Sequence, residues 1–433
     1  MKRTQVAIIG AGAAGLMAGR GLARAGKEVT ILEARDRLGG RIYPLEAREF
    51  GYPAQGGAEF VHGAAPVTHS LAREAGLTLV PREGEAWNAR GGELRRNAGP
   101  LPQMELLQAK LNELEEDMPI ARFLDAHFNE DTYAMLRSAV VRMVEGYDAA
   151  DPLLASTLAL RDEWMSGLRG EQMKIKEGYG ALIAFLASEC ETYGAEIRMN
   201  TEVVTVDIGN GSGKVICRRG NMLEAEKVLV TIPLPLLSRV VFLPELRKKM
   251  EAARTIGFGG VIKLLLRFKS RWWLGARGQD LGKMFMLFSD EAIPTWWTQY
   301  PEPYPVLTGW LSGPKVESYI NATSEEMLDV GLSSLSNMLS VSKNELRRML
   351  VTSKIIDWSA DPYARGAYSY VTPATPAARA QLLKPVNGVL FCAGEALYAG
   401  KEFATVEAAL VSGADAAEGI LTIWPTAASR QGR

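Results

Sequence analysis

Gln5-Val6-Ala7-Ile8-Ile9-Gly10-Ala11-Gly12-Ala13-Ala14-Gly15 decides the fold: an apolar run opens into a G-x-G-x-x-G turn, and helix-forming residues 16–25 follow. That order reads as strand, tight loop, helix. Gly10 permits the turn, Gly12 lets a phosphate approach the backbone, and Gly15 lets helix and strand pack closely. Ala13 and Ala14 begin a helix whose N-terminus attracts anions. Past Gly26, Glu28-Val29-Thr30-Ile31-Leu32 reads as a second parallel strand ending in Glu33. A carboxylate about 20 residues beyond the glycines accepts hydrogen bonds from ribose hydroxyls and repels a 2′-phosphate. Strand, helix, strand and terminal acid in this order predict a dinucleotide-binding Rossmann unit that prefers an unphosphorylated adenosine.

Composition bounds the rest. The 433 residues amount to roughly three domains' worth of chain, or two with one enlarged. With 47% hydrophobic and 23% charged residues the chain can bury a large core, which excludes disorder throughout. Lys plus Arg total 49 against 50 for Asp plus Glu, so there is no electrostatic footprint for nucleic acid. The three cysteines, Cys190, Cys217 and Cys392, lack metal-ligand spacing and point to a reducing compartment. Residues 1–5 lead straight into the first strand, leaving no secretory leader, and no run reaches the ~18 apolar residues of a membrane span, Ile420 to Trp424 being short and followed by Arg430 and Arg433. A cytoplasmic location is the expectation.

Glu33-Ala34-Arg35 followed by Leu38-Gly39-Gly40-Arg41 resembles the extended fingerprint of flavin-dependent amine oxidases, the monoamine and polyamine oxidase superfamily. In that family the final arginine, here Arg41, approaches the FAD pyrophosphate, and an arginine fork suits phosphate. FAD is therefore expected over NAD. Gly56-Gly57-Ala58-Glu59-Phe60-Val61-His62-Gly63 is similar to the family stretch that passes the flavin face. The resemblance places Gly57, Ala58 and Glu59 at the cofactor and His62 in the lining of the substrate site.

Residues 86–185 change character, with helical spacing over 101–128 and 131–145, and predict a helical insertion. A helix from Gly178-Tyr179-Gly180 and strands from Ala195 to Val206 return to the cofactor part, with Gly209-Asn210-Gly211-Ser212-Gly213 as a hairpin turn. Thr201-Glu202-Val203-Val204 resembles the strand whose backbone, at Val203, meets adenine. Lys227-Val228-Leu229-Val230-Thr231-Ile232-Pro233 looks like the last strand before the chain crosses to the substrate part.

Within Val261-Ile262-Lys263-Leu264-Leu265-Leu266-Arg267-Phe268, strand alternation groups Lys263 with Val261, Leu265 and Arg267 and predicts a half-exposed face. The resemblance implies the opposite: the family's lysine at this position is catalytic and holds a water beneath flavin N5. Residues 358–368 resemble the segment that sets aromatic rings beside the flavin, at Trp358 and Tyr368. Ala367 stands where monoamine oxidases place the flavin-linking cysteine, which implies noncovalent FAD. Gly394-Glu395, ending a strand, and the helix start at Thr405-Val406 resemble the closing motif, with the helix N-terminus toward the flavin pyrimidine edge.

The resemblance implies an α/β fold in two parts: a Rossmann-type FAD-binding domain (1–85, 192–255 and 385–433) and a mixed-sheet plus helical substrate domain (86–191 and 256–384). It implies oxidation of a C–N bond of a small amine or polyamine-like substrate to an imine, by hydride transfer to flavin N5, with O2 reoxidation giving H2O2. Thr405 replaces the second tyrosine of the monoamine oxidase clamp, leaving Tyr368. Phe403 or Tyr398 would supply the missing ring, and Glu402 with Glu59 would bind a distal ammonium. A C–C desaturase of porphyrinogen or carotenoid type and a noncatalytic flavoprotein stay open. A monomer and a homodimer are equally compatible with the sequence.

Overall fold

A computed structural model describes residues 2–96, 103–165, 172–209 and 211–424. The expected helix start at Leu101, the turn residue Asn210 and the terminal Arg430 and Arg433 lie outside the described residues.

Strand Lys2–Ile9 pairs in parallel with Val29–Leu32 on one side and with Met222–Val230 on the other, Ile8 standing opposite Ile31 and Leu229. Glu196–Arg198 extends the sheet beyond Val29–Leu32, and Leu390–Cys392 extends it beyond the C-terminal half of Met222–Val230, both in parallel. A parallel sheet is covered on both faces, so its strands are apolar at every position rather than at every second one. The first strand shows this directly. Val6 and Ile8 pack with the helices Ala13–Arg24, Tyr179–Thr192 and Val406–Thr422, while Ala7 and Ile9 face a second core. That second core is covered by an antiparallel extension, Val203–Asp207 with Gly213–Cys217, and by the helices Arg247–Thr255 and Thr375–Leu383.

The other half is built on a seven-stranded sheet. Its spatial order is Leu350–Asp357, Val261–Phe268, Val306–Ser312, Thr295–Trp297, Met284–Ser289, Glu85–Arg90 and Glu93–Arg96. Only the Met284–Ser289 and Glu85–Arg90 pair is parallel. Ile262, Leu264 and Leu266 project from one face into a core with Leu328, Leu332 and Leu335 of the helix Ser324–Leu339. That helix opens with a capping box between Thr323 and Glu326. Val261 and Leu265 project from the opposite face, toward Trp358 and Ala367. A separate helical layer, Met104–Asn112, Ile120–His127, Ala134–Gly146 and Thr157–Met165, closes around Phe123, Phe128 and Val140.

Several expectations change here. The segment 86–185 is not uniformly a helical insertion, because Glu85–Arg90 and Glu93–Arg96 form a hairpin that edges the sheet, turning at Gly91-Gly92. Helix Tyr179–Thr192 buries Leu182, Leu186 and Cys190 in the same core as Val6 and Ile8 of the parallel sheet, across the expected boundary at 191/192. Helix Thr375–Leu383 shares a core with Val228 and Leu390, and the boundary at 384/385 separates those partners. The strand Val261–Phe268 is not half-exposed on the Lys263 face. It is an interior strand of its sheet, and the segment 50–59 covers that face, so Lys263 is buried.

Candidate active site

The first glycine loop is shaped by two different constraints. Gly10 has φ +106°, a backbone that side chains rarely adopt, and a Cβ at Gly15 would collide with the Gly10 carbonyl oxygen. Gly12 is required by neither. A Cβ there would meet only the Gly39 carbonyl, at 3.9 Å, and would otherwise point into open cavity. Packing within the chain does not demand glycine at 12, whereas close approach of a phosphate to the backbone does.

Glu33, at the end of Val29–Leu32, accepts from the Ala11 N–H through Oε2 (2.8 Å) and from the Arg35 N–H through Oε1 (2.9 Å). A carboxylate has about four lone-pair sites, so each oxygen keeps capacity for a ribose hydroxyl. Arg41 donates through Nη1 to the Ala367 carbonyl (2.9 Å) and to Glu395 Oε1 (2.8 Å), and Glu395 is itself held by the Ser369 hydroxyl (2.6 Å). No described residue takes Arg41 Nε or Nη2, which are left for an anion. At the other end of the loop, Arg35 makes a two-pronged ion pair with Asp361 (3.0 and 2.5 Å) and lies over the Tyr363 ring. The Tyr363 hydroxyl donates to Glu202, which is paired with Arg218. This clasp escapes sequence reasoning, since Arg35 and Asp361 are brought together only by the fold.

These groups line one cavity of about 820 Å³ that continues to Lys263. Among the residues expected at the site, Gly10, Gly12, Ala13, Ala14, Glu33, Ala34, Arg35, Gly40, Arg41, Gly57, Ala58, Glu59, Val203, Trp358, Gly394, Glu395, Thr405 and Val406 all line it. So do Lys263, Tyr368, His62, Phe403 and Glu402. Gly15 packs behind the loop instead, and Tyr398 stands off the lining, its hydroxyl donating to Glu402 (3.0 Å). Burial, then the bond to Glu402, pushes the Tyr398 phenol up to about 12. Tyr398 therefore does not supply a ring to the cavity wall.

At the far end Lys263 is 1% exposed, and its ammonium donates to the carbonyls of Gln55 (2.7 Å) and Gly57 (3.1 Å) and to Glu59 Oε2 (2.8 Å). Glu59 Oε1 accepts from Gln299 Nε2 (3.1 Å) and Trp297 Nε1 (3.4 Å). Burial alone would raise the Glu59 carboxyl, but the charge and hydrogen bond of Lys263, with Gln299, hold it below its ordinary value. Glu59 lines the cavity, but its charge is already paired with Lys263 and its side chain is 8% exposed.

Tyr368 donates its hydroxyl to the Tyr147 carbonyl (2.7 Å), and its ring lies 20° from parallel to Trp310 with centroids 6.5 Å apart. Trp310, like Trp297, lines the cavity and was invisible in the sequence: an aromatic residue in a strand does not reveal which face it takes. His62 Nδ1 and the Tyr147 hydroxyl are 3.0 Å apart. Thr405 caps the helix Val406–Thr422, accepting from the Ala408 N–H (3.1 Å), so the N-terminus of that helix opens on the cavity.

A Rossmann loop, an arginine anchored on one side of its fork and a long cavity ending at a buried lysine beside the Trp297 ring are the parts that a dinucleotide-dependent oxidoreductase uses. The family model for flavin containing amine oxidoreductase matches residues 13–421, and the chain belongs to that family. The family cofactor is FAD, and noncovalent binding is typical of the family. The residues present fit it: the open cradle at Gly12, the Arg41 fork, and Ala367 in a lining that contains no cysteine among the described residues.

Lysine-specific histone demethylase 2 of Homo sapiens is 27% identical over 90% of this chain and 50% of its own length. Lysine-specific histone demethylase 1 homolog 3 of Arabidopsis thaliana is 26% identical over 90% of this chain. This chain spans 28% of the Arabidopsis protein and half of the human one. Polyamine oxidase 5 of Oryza sativa subsp. japonica is 27% identical over 90% of this chain and 82% of its own length. Among solved structures, putrescine oxidase bound to putrescine superposes with a TM-score of 0.81 at 22% identity, covering 97% of this chain and 99% of that one. Cyclohexylamine oxidase from Brevibacterium oxydans IH-35A gives 0.78 at 18% identity, with the same coverage. Both share the α/β architecture.

Proposed function

We propose that this chain is an FAD-dependent amine oxidase that converts the C–N bond of a small amine to an imine, hydride leaving the α-carbon for the flavin and O2 serving as final acceptor with release of H2O2. When bound, FAD supplies the two-electron acceptor. The observation that carries the reading is the single cavity joining the Gly12–Arg41 anion cradle to Lys263 and the Trp310–Tyr368 rings.

The chain's own residues orient and dry the substrate. Phe60, Trp297, Trp310, Tyr368 and Phe403 form an apolar wall that favours the neutral amine, the form able to lose hydride, over its ammonium. With the Glu59 charge paired to Lys263, the reading favours a monoamine with an apolar substituent, diamines being accommodated through Glu402. In this reading the parallel sheet and its helices form the cofactor half and the seven-stranded sheet with the helical layer forms the substrate half. The three free cysteines support a cytoplasmic setting, and no described helix is long and apolar enough to cross a membrane.

The test is O2 uptake coupled to peroxide release with benzylamine, cyclohexylamine, putrescine and spermidine. Stoichiometric peroxide with any one of them supports an oxidase. Reduction of the flavin by amine without O2 uptake would make the enzyme a dehydrogenase instead.

A further inference from the structure

We propose that Glu59 is a positioning residue: it holds Lys263 as a fixed cation, and its carboxylate sets the field that the lysine exerts on the bound flavin. The inference rests on the flavoenzyme reading above.

An ammonium has three N–H donors, and here all three are taken by protein acceptors: the carbonyls of Gln55 and Gly57 and the carboxylate of Glu59. The acceptors cannot easily swing away. The Gly56 N–H donates to the Tyr43 carbonyl (2.7 Å) and its carbonyl accepts from Trp358 Nε1 (3.2 Å), while a Cβ at Gly57 would strike the Arg41 carbonyl. Glu59 is equally fixed. Its side chain is 8% exposed, its second oxygen is engaged by Gln299 and Trp297, and the Trp297 ring also lies 5.2 Å from the Lys263 nitrogen.

Pairing makes the site neutral overall, so removing either partner leaves a buried charge of opposite sign in the wall of the flavin cavity. A cation there favours the electron-rich reduced flavin and an anion disfavours it. A merely structural role would not reverse sign between the two partners, since loosened packing and entering water act alike in both variants.

The experiment is the flavin midpoint potential of the holoenzyme, by dye equilibration at about pH 7, for wild type, Glu59→Gln, Lys263→Met and the double variant. Glu59→Gln is expected to raise the reduced-to-oxidised ratio at fixed potential about tenfold or more and Lys263→Met to lower it by a similar factor. The double variant should lie closer to wild type than either. Shifts in the same direction, or none for Glu59→Gln, would overturn the proposal. Should Glu59→Gln alone fail to fold around its unpaired ammonium, the double variant and Lys263→Met differ only in the carboxylate. The double must then have the higher potential, and equality overturns the proposal. A protein that retains no FAD would overturn the flavoenzyme reading as well, whereas an amine-reducible flavoprotein with parallel shifts overturns this inference alone.

Discussion

Arg41 is anchored on one side of its fork, by Glu395 and the Ala367 carbonyl, so the other side is pre-oriented for an anion. Charge-assisted hydrogen bonds contribute about 1.5–3 kcal/mol each. Arg41→Ala is therefore expected to weaken FAD binding by at least about tenfold, measured by titrating apoprotein with FAD; unchanged affinity would contradict the assignment. Trp310 is the ring facing Tyr368, and Trp310→Leu is expected to raise KM for arylalkylamines several-fold while flavin content stays unchanged. Glu59 makes a pH-dependent contribution of known sign. Its carboxyl lies below the ordinary 4.5 in the folded chain, so the unfolded chain takes up that proton first as pH falls. The stability from the pair is present above the unfolded value and is lost as pH drops through the folded one. Denaturant titrations should show Glu59→Gln losing less stability than wild type between about pH 5 and about pH 3.

Two elements meet at Glu407 in the first turn of Val406–Thr422. Its carboxylate accepts from the Val67 N–H (2.8 Å), the Thr68 N–H (2.8 Å) and the Thr68 hydroxyl (2.6 Å), capping the helix Pro66–Glu74. Glu407→Ala leaves the buried Thr68 donors and the partly buried Val67 N–H unpaired, and is expected to cost about 2–3 kcal/mol in denaturant unfolding; a loss under half of that would show the cap to be replaceable. Glu407 lay inside a motif read only for its flavin contact, because a carboxylate capping a helix hundreds of residues away leaves no local signal. The strand Val261–Phe268 shows the same boundary of legibility. Alternation correctly grouped Lys263 with Val261 and Leu265, but what covers that face is decided by a distant segment, and Glu59 lies too far along the chain for any spacing rule. The hairpin Glu85–Arg96 was missed because its strands are short and polar on the open side, where edge strands carry little hydrophobic pattern. By contrast the strand–loop–helix order was legible, since Gly10 and Gly15 each answer a local backbone constraint.

The two large sheets, each with its own core, meet around a cavity lined from both. A ligand that fills such a seam stabilises both halves by mass action, so FAD at a hundred times its dissociation constant should add about 2.7 kcal/mol to apoprotein stability. A single unfolding transition moving upward with FAD is the expected result, and an FAD-independent midpoint would place the cofactor elsewhere. The account's central claim is that the cavity brings an amine to a bound flavin. The most direct measurement is the absorbance of the purified protein's flavin under anaerobic conditions during addition of arylalkylamines, cycloalkylamines and diamines in turn. Bleaching by at least one class, stoichiometric with amine, is the predicted result. A flavin that stays oxidised with every amine, while dithionite reduces it, would contradict the claim and point to C–C desaturation or a noncatalytic flavoprotein.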